Sequence, residues 1–239
     1  MTRLYVPTQG AKSWKERLAQ PDRHWKRGAS AMELAASWEI AASSPRGLPT
    51  SVAGVLDSHP STRGASVLSA FPEHLVDLPG GSRASQTDLW AILKTDSGLV
   101  SMAVEGKARE PFGPTIDEWL SESTPGKRTR LAALCEALGL APIEASPLRY
   151  QLFHRAASAV LEARRIGSRS AVLMVQNFYP ESAAWADFEA FALLFGGAAC
   201  RQGMCEAACP GLDRLLFAWA DSPLASDAEL AGVGAIQSA

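Results

Sequence analysis

The chain has 239 residues, 47% of them hydrophobic, with 23 Lys and Arg against 25 Asp and Glu for a formal net charge of −2. That is material for one domain with a substantial core, and no uninterrupted apolar run reaches the roughly 18 residues of a membrane span. The opening MTRLYVPTQGAKSWKERL lacks the apolar core of a signal peptide, so a soluble cytoplasmic protein is expected, without membrane contact or a disulfide framework.

A short amphipathic helix is expected near AKSWKERLA, followed by a turn, QPDRHWKRG, with basic and aromatic residues. SAMELAASWEIAA, residues 30–42, is a clearer helix: Ser30 and Glu33 fit an S-x-x-E capping box, which gives Glu33 a structural role and leaves Glu39 without one. LPTSVAGVLDSH is a third, short helix in a Ser, Gly and Pro-rich stretch. EHLVDL, residues 73–78, alternates as a strand, and TDLWAILKT and LVSMAVEGK form a hairpin joined through DSG. IDEWL and GKRTRLAALCEALG are helical, the second stopped by Gly139. Residues 147–165 form the strongest helix, with Leu148, Leu152, Ala156, Ala159, Val160 and Ala163 on one stripe. SAVLMVQNF, nearly all apolar, reads as a central strand covered on both faces, and AAWADFEAFALLFG and DRLLFAWA add a helix and a strand. The pattern predicts a single α/β domain over residues 1–221, mainly helical to residue 65 with the sheet core in 66–221, and a weakly structured tail, 222–239.

Charge is unevenly distributed. Residues 126–169 carry eight Lys or Arg against three Glu, whereas 170–239 carry two Arg against eight acids, so an anionic partner is expected at the 126–169 surface. Cys200, Cys205 and Cys209 crowd into CRQGMCEAAC, whose spacing does not match a zinc ribbon; small residues in a loop are the expectation there.

The hairpin carries the chemistry. Residues two apart on a strand share a face, so Glu105 and Lys107 project together while Gly106 faces the other way. A two-residue turn at Asp96-Ser97 sets Asp88 opposite Glu105, one at Ser97-Gly98 sets it opposite Lys107, and a three-residue loop sends it to the other face. With a two-residue turn, two carboxylates and an ammonium converge, and the carboxylates repel unless a cation lies between them. Mg²⁺ uses one or two carboxylates with waters and phosphate oxygens. Lys107 could hold an attacking water and offset charge developing on a phosphoryl centre, and Gly106 would let a phosphate or a water approach the backbone. The alternative is that Glu105 and Lys107 form an exposed strand pair worth about 0–1 kcal/mol.

Asp88 followed by Glu105-Gly106-Lys107 at the end of the next strand resembles the D…E-x-K signature of the PD-(D/E)xK phosphodiesterases, the restriction-endonuclease-like superfamily, although Thr87 stands where that signature has Pro. The order of a helix, three antiparallel strands, a helix and a further strand is matched by residues 30–42, 73–78, the two hairpin arms, 147–165 and 170–178. PGGSRASQTDLWAI, VEGKAREPFGPT and RYQLFHRAASAVLEA also look like a bacterial family known chiefly as a domain of unknown function.

The resemblance implies a mixed central sheet flanked by helices and a metal-dependent nuclease using a metal-activated water. Asp88, Glu105 and the Gly106 carbonyl would hold Mg²⁺ or Mn²⁺, and Lys107 would be the catalytic lysine. Glu39 would supply a further acid from the first helix and Gln151 the glutamine of the following helix. Two other possibilities stand beside it: a catalytically silent member of the same fold that binds nucleic acid or a protein, and an unrelated α/β domain binding a small molecule. His154 is expected to pack rather than act as a base. Tyr150 and Arg149 could contact nucleic acid, but docking the helix start is their commoner use. Trp14, Trp25 and Trp38 are expected in packing.

Overall fold

The computed structural model describes residues 10–18, 20–144, 146–198 and 201–236. In chain order it contains α1 (Lys12–Lys15), α2 (Pro21–His24), α3 (Ser30–Ala41), α4 (Thr50–Asp57), β1 (Ser66–Val76), β2 (Ser85–Thr95) and β3 (Gly98–Lys107). There follow α5 (Ile116–Leu120), α6 (Pro125–Leu138), α7 (Tyr150–Arg165), β4 (Ser170–Asn177), α8 (Ala184–Leu193), β5 (Gly203–Ala207), β6 (Arg214–Asp221) and α9 (Asp227–Gly232).

The six strands form one mixed sheet in the order β1-β2-β3-β4-β6-β5. The first three are antiparallel neighbours, whereas β3, β4 and β6 run parallel. Parallel neighbours need a crossover, supplied between β3 and β4 by α5, α6 and α7. All eight residues of β4 are buried, as its apolar run requires of a strand covered on both faces.

Strand alternation divides the core in two. Leu89, Ala91, Leu93, Met102 and Val104 face α3 and α4, joining Leu34, Trp38, Val52 and Leu56. Ala103, Leu173 and Val175 face α7 and α8, joining Leu152, Phe153, Val160 and Phe191. Of the expected stripe, Leu152, Ala156, Ala159, Val160 and Ala163 are fully buried on α7, whereas Leu148 precedes the helix and is partly buried. Gly139 ends α6 in the left-handed conformation, φ 72°, and a Cβ there would come within 2.6 Å of Pro210, so only glycine suits both the turn and the contact.

Four local expectations are corrected. β1 begins at Ser66 rather than residue 73; Pro72 and the Ser-rich start obscure its alternation, and an edge strand tolerates proline. The helix of residues 30–42 is capped at Ala29 with no side-chain cap bond, so no capping box forms with Ser30. Glu33, fully buried, instead accepts the Gly28 N–H at 2.9 Å and the Ala225 N–H at 3.0 Å. Cys205 lies in β5, an antiparallel edge strand, rather than in a loop; Cys200 lies outside the described residues, and the Cys209 thiol is buried against the Ala137 carbonyl. The tail is not weakly structured over 222–236. Ser226 and Glu229 form a capping box on α9, Leu230 is buried in the core, and the Val233 carbonyl accepts the Ala11 N–H at 2.8 Å.

Candidate functional site

Thr95 pairs with Gly98, so the hairpin turns on the two residues Asp96-Ser97, and Leu89 pairs with Val104. One further step along the ladder sets Asp88 level with Glu105. On the other side of β2, the pairs Pro72 with Leu89 and His74 with Thr87 set Glu73 level with Asp88. Three carboxylates thus occupy neighbouring positions on three antiparallel strands. Glu73 adopts φ 52°, a strained backbone for a residue with a side chain.

Lys107 and Glu105 share a face, and both side chains are nearly sealed, at 5% and 3% exposure. The Lys107 ammonium donates to Glu105 Oε1 at 2.9 Å and to Gln151 Oε1 at 3.2 Å, and lies 4.8 Å from the Phe112 ring centre. Gln151, in the first turn of α7, donates through Nε2 to the same Glu105 oxygen at 2.6 Å. Glu105 and Lys107 are therefore not an exposed strand pair.

One helical turn after Gln151, Arg155 donates through Nε to Glu105 Oε2 at 2.5 Å and through Nη1 to Ser85 Oγ at 3.2 Å. Its Nη2 stands 3.6 Å from Asp88 Oδ1. The i, i+4 spacing from Gln151 puts both on one helix face, a signal in QLFHR that would have found Arg155. Glu73 would have been found by counting the strand register outward from Asp88.

Electrostatics separate the acids. Burial works to raise the Glu105 pKa, but the charges of Arg155 and Lys107 and their hydrogen bonds outweigh it and bring it down to about 2. Asp88 goes the other way: burial and then the Glu105 charge raise it to about 7, against the weaker pull of Arg155, Lys107 and the Gly106 N–H. Burial and Asp88 push Glu73 to about 9, although Gln86 donates to it at 2.8 Å. Burial opposes the charge on Arg155, yet Glu105 and Asp88 hold it above the usual guanidinium range.

Gly106 faces α3, where a Cβ would meet Leu34 at 3.4 Å, so the helix packs against the bare backbone there. Its N–H donates to Asp88 Oδ2 at 2.9 Å, tying the two strands at the site.

Glu39 is not brought into this group. It lies on α3, across the sheet from α7, where its Oε1 accepts the Trp14 indole N–H at 2.8 Å. His154 takes a packing role: burial and the Arg155 charge hold its pKa well below the ordinary range, and its Nδ1 stands 2.9 Å from Ser85 Oγ. Arg149 pairs with Asp187 at 3.0 Å and Tyr150 stacks on Trp119 at 4.0 Å, both docking the start of α7.

Seven of the eight 126–169 cations meet acceptors within the protein, and Arg128 is exposed. Lys127, Arg130 and Arg164 donate to backbone carbonyls, Arg149 and Arg155 are engaged as described, and Arg165 and Arg169 pair with Glu162 and Asp213. Among the described residues, no three His, Cys, Asp or Glu side chains are grouped so as to hold a metal by themselves, and no helix is long and apolar enough to cross a membrane.

Fold and site define an α/β protein with a polar, charge-paired cluster where its antiparallel strands meet a crossover helix. The chain belongs to the family described as a domain of unknown function (DUF6946), whose profile matches residues 7–224. No curated protein and no solved structure matches the chain.

Proposed function

We propose that the chain is a metal-dependent phosphodiesterase of the PD-(D/E)xK, restriction-endonuclease-like type, acting on a nucleic-acid backbone. The observation that carries the reading is the meeting of Asp88, Glu105, Lys107 and Gln151 at the end of one hairpin, with Glu105 Oε1 bonded to both Lys107 and Gln151. Support also comes from the succession of α3, the antiparallel β1, β2 and β3, then α7 and β4, with α4 inserted before β1 and α5 and α6 before α7.

The donor set suits a hard cation: Mg²⁺ uses one or two carboxylates and fills the rest of its shell with water and phosphate oxygens, so a cage of three acids is not required. Asp88, Glu105 and the Gly106 carbonyl would hold Mg²⁺ or Mn²⁺, which when bound supplies charge neutralisation at a phosphate and acidifies water. The remaining work falls to side chains. Gln151 and Arg155 fix the two Glu105 oxygens, which leaves that carboxylate a single orientation. Lys107 sets its Nζ 2.9 Å from Glu105 Oε1, where it would face a phosphoryl oxygen that gains charge.

A second reading, a silent member of the same fold that binds without cleaving, is favoured by one contact set: the Arg155 guanidinium stands against both Asp88 and Glu105 and already neutralises the pair.

The test is cleavage of single-stranded and duplex DNA and RNA with Mg²⁺ or Mn²⁺, wild type against Lys107→Ala. Loss of about 10²–10³ in rate is expected from removing a charge-stabilising donor. Equal cleavage by both proteins removes the site. Binding by the wild type without cleavage under either metal moves the conclusion to the second reading.

A further inference from the structure

The cluster opens into a cleft of about 900 Å³, one wall of which belongs neither to the sheet nor to α7. It runs from the end of α2 to the start of α3 and carries Arg23, His24, Lys26 and Arg27, all exposed. Arg109, just past β3, adds a further exposed guanidinium, stacked 4.1 Å over the Tyr179 ring and donating to its hydroxyl at 2.7 Å.

The charge on this cleft departs from that of the chain. Six Lys and Arg line it against four Asp and Glu, although acids outnumber bases by 25 to 23 overall. Lys107 and Arg155 are buried and committed to Glu105, which leaves Arg23, Lys26, Arg27 and Arg109 presented to solvent. The ties of Arg23 and Arg27 are weak: Arg23 reaches Gln20 at 3.4 Å and Arg27 reaches Asp227 at 3.4 Å, both on the surface. A phosphate could replace either partner.

The wall is also fixed in place. Trp25, between the two pairs of basic residues, is half-buried and donates to the Ala235 carbonyl at 3.3 Å. Glu33 holds the Gly28 N–H where the wall enters α3. Exposed cations on an anchored backbone, beside a site with buried acids, are arranged for a polyanion whose charges continue beyond the reacting group.

We propose that residues 23–27, together with Arg109, bind the phosphates flanking the scissile bond of a nucleic-acid strand. This rests on the phosphodiesterase reading and assigns its substrate backbone to the N-terminal wall rather than to residues 126–169.

The experiment is fluorescence anisotropy of short labelled oligonucleotides, single-stranded and duplex, over a salt series. It compares wild type, the triple variant Arg23→Gln, Lys26→Gln, Arg27→Gln, and the control Arg128→Gln, Arg165→Gln. Each phosphate contact contributes about 0.7–0.9 to the slope of log K on log salt, so the triple variant is expected to flatten it by about 2–3. Its melting temperature should match the wild type, and the control should bind as the wild type does. A triple variant with the wild-type slope, or a control that loses as much, overturns the assignment while leaving the phosphodiesterase reading intact. A wild type that binds neither form of oligonucleotide overturns both.

Discussion

Glu105 and Asp88 stand level on neighbouring strands, and burial acts on both, yet they end in opposite protonation regimes. The inner acid has three charged or amide donors within 2.9 Å and ionises down to a pH of about 2. The outer one, 27% exposed, has a single backbone N–H at 2.9 Å and an Arg155 nitrogen 3.6 Å away, and it holds its proton up to about pH 7. The number and quality of donors decide which carboxylate stays charged in a shared site, more than depth does. The inner region is a closed ion network, whereas the outer pair of Asp88 and Glu73 is pushed toward its protonated form by burial and by its acidic neighbours.

The largest effect should come from breaking the inner region. Glu105→Ala leaves Lys107 and Arg155 buried without their shared acceptor, and stranding a buried charge costs about 3–5 kcal/mol. Urea unfolding should show that loss, with cleavage abolished. A cost below about 1 kcal/mol, the range of an exposed pair, would mean that Arg155 swings to Asp88 and that the contrast between the two acids is not built into the fold.

The outer region should respond in the opposite sense. The Asp88 carboxyl has a folded pKa of about 7, above its ordinary value of 3.8. Between those values the native state binds a proton that the unfolded chain has released, so the stability it contributes is full below about pH 4 and is lost as pH rises through 7. Asp88→Asn removes that slope while its side-chain oxygen can still accept the Gly106 N–H. Melting at pH 8 should rise by about 2–4 °C, the shift expected for roughly 1 kcal/mol in a chain of this size, and cleavage should be lost. A melting temperature that falls at pH 8 would show that the Asp88 charge is balanced after all, and would place it with Glu105.

The same contrast explains what was legible in the chain. The hairpin is announced by two strand-length arms around a turn, α7 by its helical period and β4 by a continuous apolar run, and the two-residue turn then fixes where Asp88, Glu105 and Lys107 go. Gln151 came from the resemblance, which calls for a glutamine on the helix after the catalytic strand. Arg155 was visible only through its i, i+4 relation to Gln151, and Glu73 only through the register of an edge strand interrupted by Pro72. The ends of the chain were illegible for another reason. Residues 222–236 are held by contacts distant in sequence, among them Ala225 to Glu33, Val233 to Ala11 and Ala235 to Trp25, and no local period announces such ties. Net charge per segment located the cations of 126–169 but not the acceptors that seven of the eight meet.

The smallest effect is expected at Glu39, which tests where the site ends. Trp14 lines the cleft and directs its indole N–H at 2.8 Å to the Glu39 carboxylate on α3, so the acid's accepting oxygen is already engaged with a packing residue. Glu39→Gln preserves an acceptor for the indole and should leave both stability and cleavage unchanged. Glu39→Ala should cost about 0.5–1.5 kcal/mol for the lost hydrogen bond, again with cleavage intact. Were Glu39 a fourth acid of the site, reached by a movement of Trp14, Glu39→Gln would lose cleavage without losing stability, the pattern expected for neither a packing residue nor the inner network. Measuring both variants beside Glu105→Ala therefore separates an acid that holds a tryptophan from one that serves the chemistry.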